Sequence, residues 1–586
     1  MRMMIKIFIL FALLCGFCLA RTSKDLKVRI DDGRIIGRYL TTENGKTIRA
    51  FMGIPYAEPP IKNLRFKAPV KVKPWQGILL AQQEPPMCMQ ANVFIRERKI
   101  EGQEDCLYLN VYAPPKRNKT EGKVPVLVWI HGGGWINGHG GHSLYPPGYF
   151  LEHDVVLVTG NYRLGPLGFL SFESEECPGN FGMKDQVMLL KWVRMNIDKF
   201  GGDSNSVTIF GESAGGASVN YHMISPMSKG LFDKAISQSG ALMNIWADPP
   251  RPGLAKMRGI RLSDKVGCPI SNTNFKLIVE CLRKVDGKKI TEAMFEFYEW
   301  DNDPVVPFPP VVERISEEEG FISDYRFNKH SFDIPWITGI TSDEGLFKTS
   351  AFFNNKKLMD DMKKNWDRLL PITFYYDHFY ADEQRKISEE LNEFYFNNEP
   401  FFESNRENLT NLWSDGLLIG FVENLKYRLH NNLRDNTFVY QFSHKGSISY
   451  TEILQGGAEN FYGTSHGDLL LYLFPCHKTI PAFFSAIPET DDKEVARLMT
   501  KLWVNFAETG NPTPEWSTAS EFPLWSPVRK FPLDYLSIGN KNGNSEKLLS
   551  MERGLWDERA EFWQKIRREN PKFNIWDIDE NIKDEF

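Results

Sequence analysis

The feature that most constrains this chain is a strand that runs straight into a glycine-flanked serine. Val207-Thr208-Ile209-Phe210 is a short apolar run, Gly211-Glu212-Ser213-Ala214-Gly215 follows at once, and Ala214 to Met223 then reads as a helix. Strand, Gly-x-Ser-x-Gly and helix in that order make the context of a nucleophile elbow, a strained turn that presents the serine hydroxyl at a strand's carboxyl end. Small residues at 211 and 215 let backbone segments approach without side-chain clash. The helix N-terminus at Ser213 favours developing negative charge. A tight turn with an incidental serine is the bland alternative; the strand, the helix and the glycines on both flanks weigh against it.

Other runs share the pattern. Val124–Ile130, Asp154–Thr159 and Ala235–Gln238 are apolar on both faces, and Trp336–Gly339 and Thr437–Phe442 extend the series. Such runs read as central strands of a covered, mostly parallel sheet. Between Asp185 and Phe200, Leu190, Val193, Ile197 and Phe200 repeat at helical spacing, and Gly201-Gly202 stops the helix. Lys493 to Glu508 is a further helix, ended by Gly510-Asn511-Pro512. The alternation predicts an α/β fold with a central sheet covered by helices. Segments 250–330 and 345–435 are rich in aromatics, asparagine and charge, without regular period. They are expected to be long loop insertions that form a pocket.

His131-Gly132-Gly133-Gly134-Trp135 follows the Val124–Ile130 strand. Glycines there expose backbone N–H groups, which a tetrahedral intermediate needs at about 2.7–3.1 Å from its oxygen. Gly133, Gly134 and the N–H of Ala214 are the expected oxyanion donors. A phosphate-binding loop is the rival, and it fails because no Gly-Lys-[Ser/Thr] follows. In sheets with such an elbow the chain order is serine, acid, histidine. His330, His378, His430, His444, His466 and His477 therefore remain as bases, and His466 stands out in the turn-rich Gly463-Thr464-Ser465-His466-Gly467. Upstream, Trp336 to Gly339 leads into Asp343-Glu344-Gly345, where either carboxylate qualifies as the acid.

Composition narrows the partners. The 586 residues carry a formal charge of −5 with no lysine/arginine tract, which argues against nucleic acid and for a small neutral or apolar substrate. No Cys-x-x-Cys or Cys/His ligand spacing occurs, so neither a metal nor another cofactor is expected. A basic Met1–Lys6, an apolar Ile7–Leu14 and a small Ala20 resemble a signal peptide cleaved near residue 20. No other stretch is long and apolar enough for a membrane span. Secretion is the expectation, with the endoplasmic-reticulum lumen as alternative because Lys583-Asp584-Glu585-Phe586 resembles a retention signal. An oxidising compartment makes local disulfides plausible. Cys88–Cys106 and Cys268–Cys281 are the nearest neighbours, each stabilising by about 3 kcal/mol in the entropic model. Cys177 and Cys476 are left as buried thiols or a third pair. Asn118 and Asn408 head glycosylation acceptors. No cysteine follows Cys476, which argues against a covalently tail-linked dimer; the sequence otherwise leaves the oligomeric state open.

Four segments together resemble the type-B carboxylesterase and cholinesterase family. They are Phe200 to Gly215, Glu104 to Pro114, Gly53 to Ala57 and Asn161 to Gly168. The resemblance spans about 25–565 and implies the α/β-hydrolase fold and cleavage of carboxylic esters through an acyl-enzyme. It implies Ser213 as nucleophile, Glu344 rather than Asp343 as acid, His466 as base, and the two disulfides above. Cholinesterases hold a cation over a tryptophan in the first disulfide loop; Met89 to Asp105 contains none, so a choline ester fits poorly. Adhesion relatives lack the full triad that this chain keeps. Juvenile-hormone esterases usually carry glutamine where Glu212 stands, which lowers but keeps the hormone or pheromone alternative. The chain looks most like insect general or detoxifying carboxylesterases, with a slow-turnover binder of esters or organophosphates as a further alternative. The expected organisation is a signal at 1–20, one domain at 21–565 and a polar acidic tail at 566–586.

Overall fold

A computed structural model describes residues 25–95, 98–116, 122–324, 333–399, 405–430, 436–454, 462–480, 490–515, 522–540, 547–573 and 576. The expected signal at 1–20, Asn118, His330 and residues 577–586 lie outside them.

Along Val124–Ile130 the side chains sort alternately into two cores. Val126, Val128 and Ile130 join one buried cluster; Leu127 and Trp129 join the other. Ile209 and Phe210 divide in the same way. This is the pleat of a strand covered on both sides. Among the described residues, the sheet it belongs to has eleven strands. In chain order they are β1 (Arg38–Thr41), β2 (Thr47–Pro55), β3 (Tyr108–Ala113), β4 (Val124–Ile130), β5 (Val156–Gly160), β6 (Gly202–Glu212), β7 (Lys234–Gln238), β8 (Trp336–Thr341), β9 (Thr437–Phe442), β10 (Asp534–Ile538) and β11 (Leu549–Arg553). Across the sheet the order is β1-β2-β3-β5-β4-β6-β7-β8-β9-β10-β11. Neighbours from β5 to β10 are parallel, and the outer pairs are antiparallel. Ile209 of β6 registers with Val128 on one side and Ala235 on the other.

Helices α1 (Phe181–Asn196) and α2 (Ala214–Ile224) pack into the first core through Leu190, Val193 and Val219. The segment expected as a loop at 345–435 is largely helical. It contains α3 (Leu346–Asn354), α4 (Lys356–Lys364), α5 (Trp366–Thr373), α6 (Ala381–Phe396), α7 (Arg406–Leu418) and α8 (Gly420–His430). Helices α7 and α8 are buried nearly all round, so polar and apolar residues do not separate there at a single period, whereas α4 and α6 bury one stripe each. In α7, Thr410, Ser414 and Asp415 are buried together with Leu412 and Trp413. Among its described residues, segment 250–330 holds the α-helices Leu254–Lys265, Phe275–Leu282 and Gly287–Glu292. Helix α9 (Thr490–Thr509) covers the second core with Val495, Met499, Leu502 and Trp503. Helix α10 (Asp557–Glu569) runs through the expected boundary at 565, and Phe573 and Trp576 beyond it are buried. The folded unit therefore reaches at least residue 576.

Cys88–Cys106 and Cys268–Cys281 are disulfide-bonded, while Cys177 and Cys476 are buried thiols. Among the described residues no helix is long and apolar enough to cross a membrane.

Candidate active site

Strand β6 ends at Glu212, and α2 begins at Ala214, so Ser213 alone makes the turn. Its φ is 58° and its ψ −124°. Such a conformation costs a non-glycine residue about 1–3 kcal/mol and persists only where its surroundings over-determine it. They do so here. The Ser213 N–H donates to Gln238 O at 2.8 Å, and Ser213 O accepts from Ala217 N at 2.9 Å. A Cβ on Gly215 would stand 2.1 Å from Ile130 O, and one on Gly211 would stand 2.5 Å from the Gly215 carbonyl carbon. Both glycines of the elbow are thus imposed by backbone contact.

The loop after β4 folds around the Gly133 carbonyl, which accepts from Ile136 N at 3.0 Å and Asn137 N at 3.1 Å. Gly133 and Gly134 have φ of 99° and 61°, where other residues are strained. Among the described residues no acceptor takes the N–H of Gly133, Gly134 or Ala214. His131 at the head of this loop has a different role. It is buried, its ring stacks on Tyr162 at 4.2 Å, and burial pulls its pKa down to about 3.

The two carboxylates left open by the sequence separate cleanly. Glu344 Oε2 lies 2.5 Å from His466 Nδ1, while Glu344 Oε1 accepts from Thr341 N at 2.8 Å. Asp343 instead accepts from Thr464 N at 3.0 Å and Ser342 Oγ at 2.6 Å, pinning the loop that carries His466. Asp468 holds the far side of that loop, accepting from Ser465 N at 2.8 Å and Tyr450 N at 2.6 Å. A further buried histidine–carboxylate pair, His444 with Asp492 at 2.9 Å, does not line the cavity around Ser213. His378 is half-buried and His430 is exposed.

Sequence reasoning missed a second carboxylate on the imidazole. Glu212 Oε1 is 3.1 Å from His466 Nε2, the nitrogen opposite the Glu344 contact. Burial pushes Glu212 up to about 7, against the pull of His466 and with a further push from Glu344. For His466, burial opposes the charged ring, but Glu212 and Glu344 outweigh it and hold the pKa up to about 9. No hydrogen bond joins Ser213 Oγ to the His466 ring among the described residues. Such contacts are often long in unliganded sites and tighten around substrate.

Ser213, Glu212, Glu344 and His466 all line one cavity of about 430 Å³. Phe94, Trp246, Val306, Phe347, Trp413 and Leu417 wall part of it, and Tyr450 and Leu454 also line it. Phe94 comes from the first disulfide loop, which supplies a phenyl ring where a tryptophan is absent. Sequence pattern marks none of these wall residues, because they reach the cavity from several separate parts of the chain, with Trp413 and Leu417 sharing α7.

The sheet order and the elbow at its centre make this protein an α/β-hydrolase. A model of the carboxylesterase family matches residues 24–563, and the chain belongs to that family. It is accordingly a carboxylic-ester hydrolase. It is 34% identical over 571 residues to a juvenile hormone esterase of Tribolium castaneum, covering 94% of this chain and 95% of that one. Esterase FE4 of Myzus persicae is 36% identical over 532 residues, covering 90% and 91%. The crystal structure of juvenile hormone esterase from Manduca sexta, with OTFP covalently attached, superposes with a TM-score of 0.77 at 29% identity, over 92% of this chain and 99% of that one.

Proposed function

We propose that Ser213 is the nucleophile, His466 the general base and Glu344 the acid that orients it, with Gly133, Gly134 and Ala214 as oxyanion donors. The observation that carries this reading is the 2.5 Å contact from Glu344 to His466 Nδ1, on a ring that shares its cavity with Ser213. His466 takes the Ser213 proton as Oγ attacks the ester carbonyl. The carbonyl oxygen becomes an anion facing the three N–H groups. The intermediate collapses, the alcohol leaves with the proton from His466, and an acyl-enzyme remains. Water then attacks with the same base, and the acid is released. The apolar wall favours esters with apolar acyl or alcohol parts.

A fluorophosphonate probe is expected to label Ser213 alone. Ser213→Ala is expected to abolish that label and cut ester turnover by about 10^4- to 10^6-fold. A label elsewhere, with turnover intact in the variant, overturns the assignment. Burst kinetics with a chromogenic ester separate a turnover enzyme from a slow-turnover binder, which acylates fast and then stalls. The relatives named for juvenile hormone keep hydrolysis of an apolar hormone or pheromone ester as a second reading. A panel of such esters against simple alkyl esters decides between them.

Residues 1–20 are assigned as a cleaved signal, residues from 21 onward as a single domain, and the enzyme as extracellular. Two disulfides and an exposed Asn408 support passage through an oxidising compartment. Release from cells only after deletion of Lys583 to Phe586 would assign the enzyme to the reticulum lumen instead.

A further inference from the structure

Trp246 lines the cavity from a tight turn after β7. In that turn Ala247 N and Asp248 N donate to Asn244 O at 2.7 and 2.9 Å. The ring of Trp246 packs 5.6 Å from Trp135, which stands beside the glycine loop. Such a short turn, bearing one large ring into a pocket, needs support from behind. That support comes from the C-terminal end of the chain. Arg567 of α10 is almost wholly buried and holds both ends of the turn. Its Nη1 donates to Met243 O at 3.2 Å, and its Nη2 lies 3.6 Å from Asp248 Oδ2. Glu423 of α8 balances its charge at 2.9 Å. Past α10 the chain folds back, with Phe573 O accepting from Arg567 Nη2 at 3.3 Å. Trp576 Nε1 then donates to the other Asp248 oxygen at 2.9 Å. Between these layers Tyr221 of α2 donates its hydroxyl to Ala247 O at 2.6 Å, and its ring lies 6.3 Å from Trp576.

We propose that Arg567 and Trp576 together brace the turn and set the position of Trp246, and so the size of substrate group the cavity accepts. Arg567 and Trp576 are positioning residues, some distance from the reacting atoms. The inference rests on the assignment of this cavity as the ester site. Asp248 is the hinge of the arrangement: its two oxygens are held by different residues of the brace, so loss of either donor lets the turn relax on one side. A ring displaced by a fraction of an ångström changes the space for one or two methylenes, and a methylene in an apolar pocket is worth about 10- to 200-fold in discrimination.

The test measures kcat and KM for 4-nitrophenyl esters from acetate to octanoate with the full chain. Trp576→Phe keeps the ring and removes only the N–H donor; Arg567→Lys keeps the charge and loses the two-armed grip. Each is expected to change the octanoate-to-acetate ratio of kcat/KM about fivefold or more, chiefly through the longer ester, with acetate turnover within about twofold of wild type. Trp246→Phe is expected to move the same ratio, and its combination with Trp576→Phe to give less than the product of the two changes, as for residues acting through one another. Lys565→Ala, on the exposed side of α10 where Lys565 pairs with Glu390, should leave the ratio unchanged. A ratio unchanged in folded Trp576→Phe and Arg567→Lys, or moved equally by Lys565→Ala, overturns the brace. Failure of the ester-site assignment looks different, because Ser213→Ala would then keep wild-type hydrolysis of the acetate.

Discussion

The elbow at Ser213 and the wall built by α3, α7 and the turn at Trp246 border the same cavity but are held by different forces. Main chain constrains the elbow: Gly215 abuts Ile130 O, and Ser213 is tied to Gln238 and Ala217 through backbone hydrogen bonds. Side chains hold the wall. Gly345 N donates to Ser414 Oγ at 2.8 Å, Tyr395 OH donates to the buried Asp415 at 2.5 Å, and Arg567 grips the Trp246 turn. Backbone constraint leaves sequence almost no freedom, whereas side-chain constraint can be rewritten one residue at a time. The chemistry should thus be brittle and the selectivity malleable.

The largest expected effect probes the brittle half. Glu344→Gln leaves the shape of the acid turn but removes the charge that fixes the His466 tautomer and stabilises its protonated form. A loss of about 10^4-fold in kcat with little change in KM is expected. A loss below about tenfold would mean that Glu212 serves as the acid instead, and the comparison would need redrawing.

The same contrast explains what was legible in the sequence. Strands β4, β6, β7 and β9 are apolar on both faces, so their cores can be read one residue at a time. Among the antiparallel outer strands, β1 and β11 carry exposed and half-buried residues at most positions and give no apolar run. The elbow is local, so Ser213 and its two glycines were visible without any tertiary knowledge. The choice between Asp343 and Glu344 was not local: one backbone turn sends the first carboxylate to Thr464 N and the second to the imidazole. Helix α7 hid because Thr410, Ser414 and Asp415 are buried with partners that only the fold supplies. Trp246 hid for the same reason, since its support lies more than three hundred residues away, at Arg567 and Trp576.

Intermediate effects sharpen the boundary between the halves. Asp343→Asn retains an oxygen for Thr464 N but loses the charge on a bond that pins the base loop. A charge-assisted hydrogen bond is worth about 1.5–3 kcal/mol, so a fall in kcat of about 10- to 30-fold is expected, with KM little changed. Leu417→Ala, in the wall, should instead leave acetate turnover within about twofold and raise kcat/KM for bulkier acyl esters by up to tenfold. Its stability loss should be about 1–2 kcal/mol by chemical denaturation, less than for a sealed core site because the side chain already borders a cavity. Equal losses on all esters would move Leu417 into the brittle half.

The smallest effect tests Glu212, which sits on the elbow yet acts through its side chain. Its carboxylate faces His466 Nε2 at 3.1 Å, and together with Glu344 it holds the imidazole pKa up to about 9 against burial. With His466 as the proposed general base, which works only when neutral, activity is expected above the His466 pKa and lost as pH falls through it. Removing one of the two negative charges lowers that pKa. Glu212→Gln is therefore expected to move the acid limb of kcat/KM toward lower pH, while the plateau falls by no more than about tenfold. Glu212→Asp, which keeps the charge, should leave the limb nearer its original place. The wild-type limb should also be shallower than a single titration, because Glu212, pushed up to about 7, takes a proton in the same range and releases part of its hold on His466. A limb that does not move in Glu212→Gln would assign the raised basicity to Glu344 alone and leave Glu212 as filler behind the serine.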